Sequence, residues 1–337
     1  MMNWKGKKVL VTGADGFLGS HLTEALVRAG AQVRAFVFYN SLGSWGWLDE
    51  AAPDVAGRFE VFPGDIRDAS LVRAAVTGCD YVFHLAALIA IPFSYRAPES
   101  YVDTNIKGTL NVLLACREAG VTRLVQASTS EVYGSAQRVP MDESHPLAPQ
   151  SPYAATKVGA DQLALSFHAA FGLPVVVLRP FNTFGPRQSA RAVIPTIITQ
   201  ALAGAPSIRL GALGPTRDFS YVDDTVEGFL AAAGAGGADG QVVNTGSGLE
   251  VSIGDLAQFI LGVCNSRAVI TPEAERLRPA NSEVRRLVAD NAKAARLLGW
   301  TPKYAGPEGL RLGLQKTVEW FAKPENLARY RPGVYAL

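Results

Sequence analysis

The chain has 337 residues, 48% apolar and 18% charged, with 32 Lys and Arg against 30 Asp and Glu, a formal net charge of +2. That length accommodates one large or two unequal domains with a sizeable core, and the even, scattered charge gives no support for nucleic-acid binding. Cys79, Cys116 and Cys264 are isolated, which argues against a disulfide framework and against a metal site; no apolar run nears the ~20 residues of a membrane span, and the polar start up to Lys8 predicts a cytoplasmic protein with no membrane partner.

A short β-rich run, Val9–Thr12, ends at Gly13-Ala14-Asp15-Gly16-Phe17-Leu18-Gly19, and helical periodicity over Phe17–Ala29 stops at Gly30. With a second strand at Gln32–Phe38 this makes a βαβ unit. Glycines at such a strand–helix junction let the chain turn sharply and approach a pyrophosphate closely. Gly13, Gly16, Phe17 and Leu18 are therefore candidate dinucleotide contacts.

The second strand ends in Phe38-Tyr39-Asn40-Ser41, without the Asp or Glu that holds a ribose diol and without an Arg for a 2′-phosphate. Asn40 is the candidate there, and NAD is expected while NADP stays open. Further strands are expected at Phe59–Pro63, Tyr81–His84, Arg123–Ala127 and Pro174–Leu178, with helices at Ala69–Val76, Glu99–Ala119 and Tyr153–Phe171. Asp65 and Ile66 follow the third strand and can meet the adenine, although Asp65 equally suits a helix cap. Leu85, Ala86 and Ala87 end the fourth with small residues beside the cofactor.

Alternating strands and helices imply an α/β fold, a Rossmann-type doubly wound parallel sheet over residues 1–179. After Arg179 the rhythm breaks into short elements and Gly/Pro-rich loops. Residues 180–337 read as a smaller substrate-binding α/β domain, with Val242–Asn244 expected to return to the main sheet.

Ser128-Thr129-Ser130-Glu131 follows the fifth strand, and Tyr153 precedes Lys157 by one helical turn. A lysine charge and an oxidised nicotinamide both favour tyrosinate, which would turn a phenol of pKa near ~10 into a base at neutral pH. The four histidines have no metal-ligand or triad spacing.

These segments, with His84-Leu85-Ala86-Ala87, Asn105-Ile106-Lys107-Gly108-Thr109, Arg179-Pro180-Phe181-Asn182, Arg217–Asp224 and Leu298-Gly299-Trp300, resemble the extended short-chain dehydrogenase/reductase family of nucleotide-sugar epimerases and dehydratases. The GxxGxxG spacing fits that family. The resemblance implies that Tyr153 takes the proton of the sugar C4 hydroxyl, Lys157 binds the nicotinamide ribose and Thr129 hydrogen-bonds the C4 oxygen; Pro180 belongs to the cofactor contacts.

In such enzymes 4-epimerases usually have a small residue where Glu131 stands, whereas 4,6-dehydratases need a carboxylate to remove the C5 proton. The Thr-Ser-Glu triplet is similar to the GDP-mannose dehydratase pattern and leaves Ser130, a water or Glu131 as the acid for the C6 hydroxyl. A 4-epimerase and a UDP-glucuronate decarboxylase are the alternatives. A non-enzymatic NAD-sensing protein would be expected to lack Tyr153 or Lys157, and both are present.

The segments 38–47, 87–95 and 181–191 also resemble LegB-type dehydratases, which act on nucleotide-activated N-acetylglucosamine; the apolar Leu88–Phe93 loop would then receive the acetamido methyl. By resemblance, Arg217 and Arg278 flank the substrate diphosphate, Asn182 hydrogen-bonds it or the sugar, and Val193 borders the base. Arg187 and Arg191 are weaker candidates. The two long helices imply a homodimer.

Overall fold

In a computed structural model, which describes residues 2–335, six strands occur before residue 181: β1 (Lys8–Thr12), β2 (Gln32–Phe38), β3 (Phe59–Gly64), β4 (Tyr81–His84), β5 (Arg123–Ala127) and β6 (Val175–Pro180). The later ones are β7 (Asn182–Phe184), β8 (Ser207–Leu210), β9 (Thr216–Tyr221), β10 (Gln241–Thr245), β11 (Glu250–Ser252) and β12 (Val269–Pro272). The main sheet has the order β10-β6-β5-β4-β1-β2-β3, and its six pairings are all parallel. It is the doubly wound Rossmann-type α/β fold.

Central parallel strands are covered on both faces and so carry continuous apolar runs. Val9, Leu10 and Val11 are wholly buried, with Val9 and Val11 in one core and Leu10 in the other. The strand order reverses between β1 and β4, and there a crevice opens at the strand C-termini.

β10 joins the edge of this sheet next to β6, and the helix Val222–Gly234 just before it packs on β5, β6 and the helix Phe17–Arg28. The sheet layer thus takes the segment 222–245 from beyond the break in rhythm at Arg179. What remains outside it is the small sheet β11-β9-β7, the β8–β12 pair and the helices Val193–Leu202, Ile253–Val263 and Gly306–Phe321.

The helix Pro152–Phe171 brings Tyr153 and Lys157 to the crevice, and a second helical segment packs beside it. The helix Pro152–Phe171 starts with Ser151, whose side chain accepts from the Ala154 N–H, and with Pro152 in its first turn; it stops at Gly172 in the left-handed conformation. The expected helix Glu99–Ala119 is not one regular helix. Pro98–Tyr101 and Gly108–Ala119 are α-helical, and a π-helical stretch, Val102–Lys107, joins them.

Candidate active site

At the end of β1, Gly13 has φ +68°, and a Cβ there would stand 2.9 Å from the backbone of Ala86. Only glycine leaves room between the two strand ends. Thr12 fixes this approach: its hydroxyl oxygen accepts from the Leu85 and Ala86 N–H groups, both at 3.1 Å, and lies 2.8 Å from His84 Nδ1. No side chain caps the helix Phe17–Arg28, and its first residues line the cavity, where an uncapped helix N-terminus suits an anion. This glycine cradle fits a dinucleotide pyrophosphate.

One cavity of about 1180 Å³ runs from this cradle to the far side of β9. Gly13, Gly16, Phe17, Leu18, Asp65, Ile66, Leu85, Ala86, Ala87 and Pro180 line it, as do Thr129, Ser130, Glu131, Tyr153, Lys157, Asn182, Val193, Arg217 and Arg278. Asn40 does not. Its side chain closes its own loop instead, donating to the Ser44 carbonyl and accepting from the Leu42 N–H. Asp65 is ion-paired with Arg67 at 2.6 Å, and the following helix is capped by Asp68.

Tyr153 is buried against the edge of Tyr101. Burial pushes its phenol well above the ordinary value; the Thr129 hydroxyl pulls it down, while Glu131, Tyr101 and Asp161 push it further up. The favoured tyrosinate expected from the sequence includes the charge of an oxidised nicotinamide; in the chain itself desolvation dominates and disfavours tyrosinate. Lys157 is also buried, and burial brings its ammonium down to about 8 despite the nearby Asp161. Its Nζ donates to the Ala127 carbonyl at 2.7 Å, at the end of β5.

A buried polar network supports this helix. Asp161, one turn beyond Lys157, accepts from Ser128 Oγ at 2.7 Å and from Arg179 Nε at 3.0 Å. Arg179 continues to the Tyr133 hydroxyl, which donates to Asn244 in β10. Asn105, in the π-helical stretch, bonds both backbone groups of Leu88 at 2.9 Å and reaches Thr156. Its segment stands out in the sequence, but this role for Asn105 does not.

The Thr129 hydroxyl accepts from the Glu131 N–H, and the Glu131 carboxylate lies 3.9 Å from Arg278. Arg217, on β9, is 3.4 Å from Glu283, and Arg278 is 3.9 Å from the same carboxylate. Glu283 is a cavity residue that the sequence alone does not single out. Burial lowers the Arg217 guanidinium below its ordinary value. Arg278 Nη1 and Asn182 Oδ1 are buried without a hydrogen-bond partner, two orphaned polar atoms on one cavity: a donor that suits an anionic group and an acceptor that suits a hydroxyl.

Other prominent residues are structural. Asp218 binds the N–H groups of Ser247, Gly248 and Ala289, and Asp224 binds those of Lys303 and Tyr304. Trp300 donates to the Asp224 carbonyl. Among the described residues, no helix is long and apolar enough to cross a membrane and no cluster has the makings of a metal site.

Residues 10–312 match the family model of GDP-mannose 4,6 dehydratase. The chain is 35% identical over 319 residues to a dTDP-glucose 4,6-dehydratase of Actinoplanes sp., across 93% of this chain and 97% of the relative. Among solved structures it is similar to the epimerase Mth375 from Methanothermobacter thermautotrophicus (TM-score 0.86, 32% identity, 97% of this chain and 95% of the other). It is also similar to the dTDP-glucose 4,6-dehydratase DesIV from Streptomyces venezuelae, solved as a double mutant with NAD bound (TM-score 0.84, 31% identity, 94% and 97%). Fold, cavity and relatives agree that the chain belongs to the nucleotide-sugar dehydratases and epimerases of the extended short-chain dehydrogenase/reductase family, within the group described by the GDP-mannose 4,6 dehydratase model.

Proposed function

We propose that the chain is an NAD-dependent nucleotide-sugar 4,6-dehydratase, which makes a 4-keto-6-deoxy sugar. The observation that carries this reading is Glu131: a carboxylate on the wall of the cavity that also presents Thr129 and Tyr153. A 4-epimerase leaves the C5 proton in place and has no work for that carboxylate.

When bound, the dinucleotide accepts a hydride from C4 and returns it to C6. Tyr153 removes the C4 hydroxyl proton, and Thr129 hydrogen-bonds the C4 oxygen. Lys157 holds the nicotinamide ribose. Glu131 then takes the C5 proton, made acidic by the C4 ketone, as the C6 hydroxyl leaves as water. The proton for that hydroxyl comes from Glu131 or from Ser130, the protic side chains at hand. Arg217, Arg278 and Asn182 hold the diphosphate, for which arginine forks are suited.

NAD rather than NADP is supported by the loop after β2. Between Phe38 and Glu50 it contains no Arg or Lys, and Asp49 closes it by accepting from Ser44 and Trp45. N-acetylglucosamine is the proposed sugar, because Leu88, Ile89, Ala90, Ile91, Pro92 and Phe93 give the cavity an apolar wall suited to an acetamido methyl. A homodimer is proposed through the helices Gly108–Ala119 and Pro152–Phe171, which leave Leu114 and Phe171 exposed.

Incubation with UDP-, GDP-, CDP- and dTDP-hexoses in deuterated water tests the reaction. A dehydratase gives a product lighter by one water with deuterium at C5. A new isomer of unchanged mass would identify a 4-epimerase and end this reading; loss of CO₂ from a uronic acid would identify a decarboxylase.

A further inference from the structure

Arg187 and Asn265 are the described non-glycine residues with a left-handed φ. Asparagine tolerates that region; a buried arginine at φ +71° is held there by its surroundings. Its guanidinium reaches away from its own loop to the helix Phe17–Arg28, with Nη2 2.6 Å from Glu24 and Nη1 3.2 Å from Ser20. Nη2 also meets the Glu50 carbonyl at 3.3 Å. Next to it, His21 Nε2 lies 3.1 Å from the Pro186 carbonyl, and burial together with Arg187 brings that imidazole down to about 4, so it is neutral and donates.

The three segments tied by this guanidinium meet the cavity at different places. The helix presents Phe17 and Leu18 at the glycine cradle. The loop ending at Glu50 presents Ser44, Gly46 and Trp47, and the Trp47 N–H is fastened to the Asp15 carbonyl of the glycine loop at 3.0 Å. The loop of Arg187 continues through Gln188 and Arg191 to Val193, at the opposite end.

We propose that Arg187 is a positioning residue that couples the two halves of the cavity: a dinucleotide that orders the glycine loop and residues 44–50 also orders, through Glu24, Ser20 and Glu50, the 185–193 loop that receives the nucleotide end of the sugar substrate. This rests on the two-ligand reading of the cavity and not on dehydration. Coupling between two sites is reciprocal and typically ~5- to 150-fold in affinity. Removal of one partner from a buried ion pair strands the other charge, so truncating Arg187 would confuse coupling with folding. Glu24 is absent from the cavity wall, which makes Glu24→Gln the cleaner variant; Arg187→Lys keeps the charge and loses the fork.

The test is calorimetric titration of UDP, dTDP, GDP and CDP into protein stripped of dinucleotide and into protein saturated with NAD. In the unaltered protein, NAD should tighten the nucleotide that binds by about 10-fold. Glu24→Gln should bring that ratio below about 2-fold with little change in the NAD-free affinity; Arg187→Lys, whose side chain also lies on the cavity wall, should lower the ratio as well. A ratio unaltered in both variants, even with a lowered Tm, would mean a structural role only and overturn the inference, as would a ratio of one in the unaltered protein. A protein that takes the nucleotide but no NAD would instead overturn the two-ligand reading itself.

Discussion

Arg278 Nη1 stands 3.9 Å from Glu131 Oε1 and 3.9 Å from Glu283 Oε1, between the carboxylate assigned to C5 and the one that faces Arg217. On the proposed reading, the groups that hold the diphosphate and the group that acts on the sugar share one cation, and charge brought in by the substrate would act on the same guanidinium as Glu131.

Glu131→Gln keeps the shape and the Thr129 contact to its own N–H but removes the base. Dehydration should fall by about 10²–10⁴-fold, the usual worth of a positioned proton-transfer group. C4 oxidation should survive, leaving reduced nicotinamide visible by its absorbance after substrate is added. Dehydration at the unaltered rate would remove Glu131 from the mechanism.

Tyr153→Phe should abolish oxidation as well, so no reduced nicotinamide should form with any substrate. The raised phenol also sets the direction of the pH profile. Activity of the unaltered protein should climb as pH rises, because the protonated phenol must give up its proton before it can take one. Rate measurements across the alkaline range check this; a flat profile would detach the phenol from the rate.

Arg217→Ala and Arg278→Ala should raise KM for the nucleotide sugar. A hydrogen bond to a charged group contributes about 1.5–3 kcal/mol, which corresponds to roughly 10- to 100-fold. Arg278→Ala should also alter kcat, since its cation neighbours Glu131; Arg217→Ala should act mainly on KM. Steady-state kinetics on the two variants separates these roles.

His84 is buried between Thr12 and Thr109, and burial, aided by the Lys157 charge, brings its imidazole from 6.5 down to about 3. Between those values the unfolded chain binds a proton that the folded chain refuses. Stability present above pH 6.5 is therefore lost as the pH falls through this window, at about 1.4 kcal/mol for each pH unit crossed. Urea midpoints at pH 7 and pH 5 should diverge, and less so in His84→Gln.

Asn105→Ala strips both hydrogen bonds from the Leu88 backbone and one from Thr156. Leaving such buried groups unpaired costs about 1–3 kcal/mol each. The variant should unfold at lower urea, and its Leu88–Phe93 wall should lose discrimination between N-acetylglucosamine and glucose nucleotides. Equal preference ratios in variant and unaltered protein would detach Asn105 from specificity.

The sequence by itself determined the periodic and the local. Apolar runs of strand length, glycines between β1 and its helix, and Tyr153 one turn before Lys157 are all written in nearest neighbours, and they were enough for the fold class and the glycine loop; Pro180, Asn182, Val193, Arg217 and Arg278, which also line the cavity, came by family resemblance. What joined distant positions was decided only in three dimensions. Asn40 went to its own loop because an Asx turn satisfied it locally. Lys157 found the Ala127 carbonyl, Asn105 found Leu88, and Glu283 came beside two arginines from other segments. The same holds for the raised phenol of Tyr153: a proton's affinity depends on how much water and charge surround it, and burial is a property of the packed chain, not of a motif.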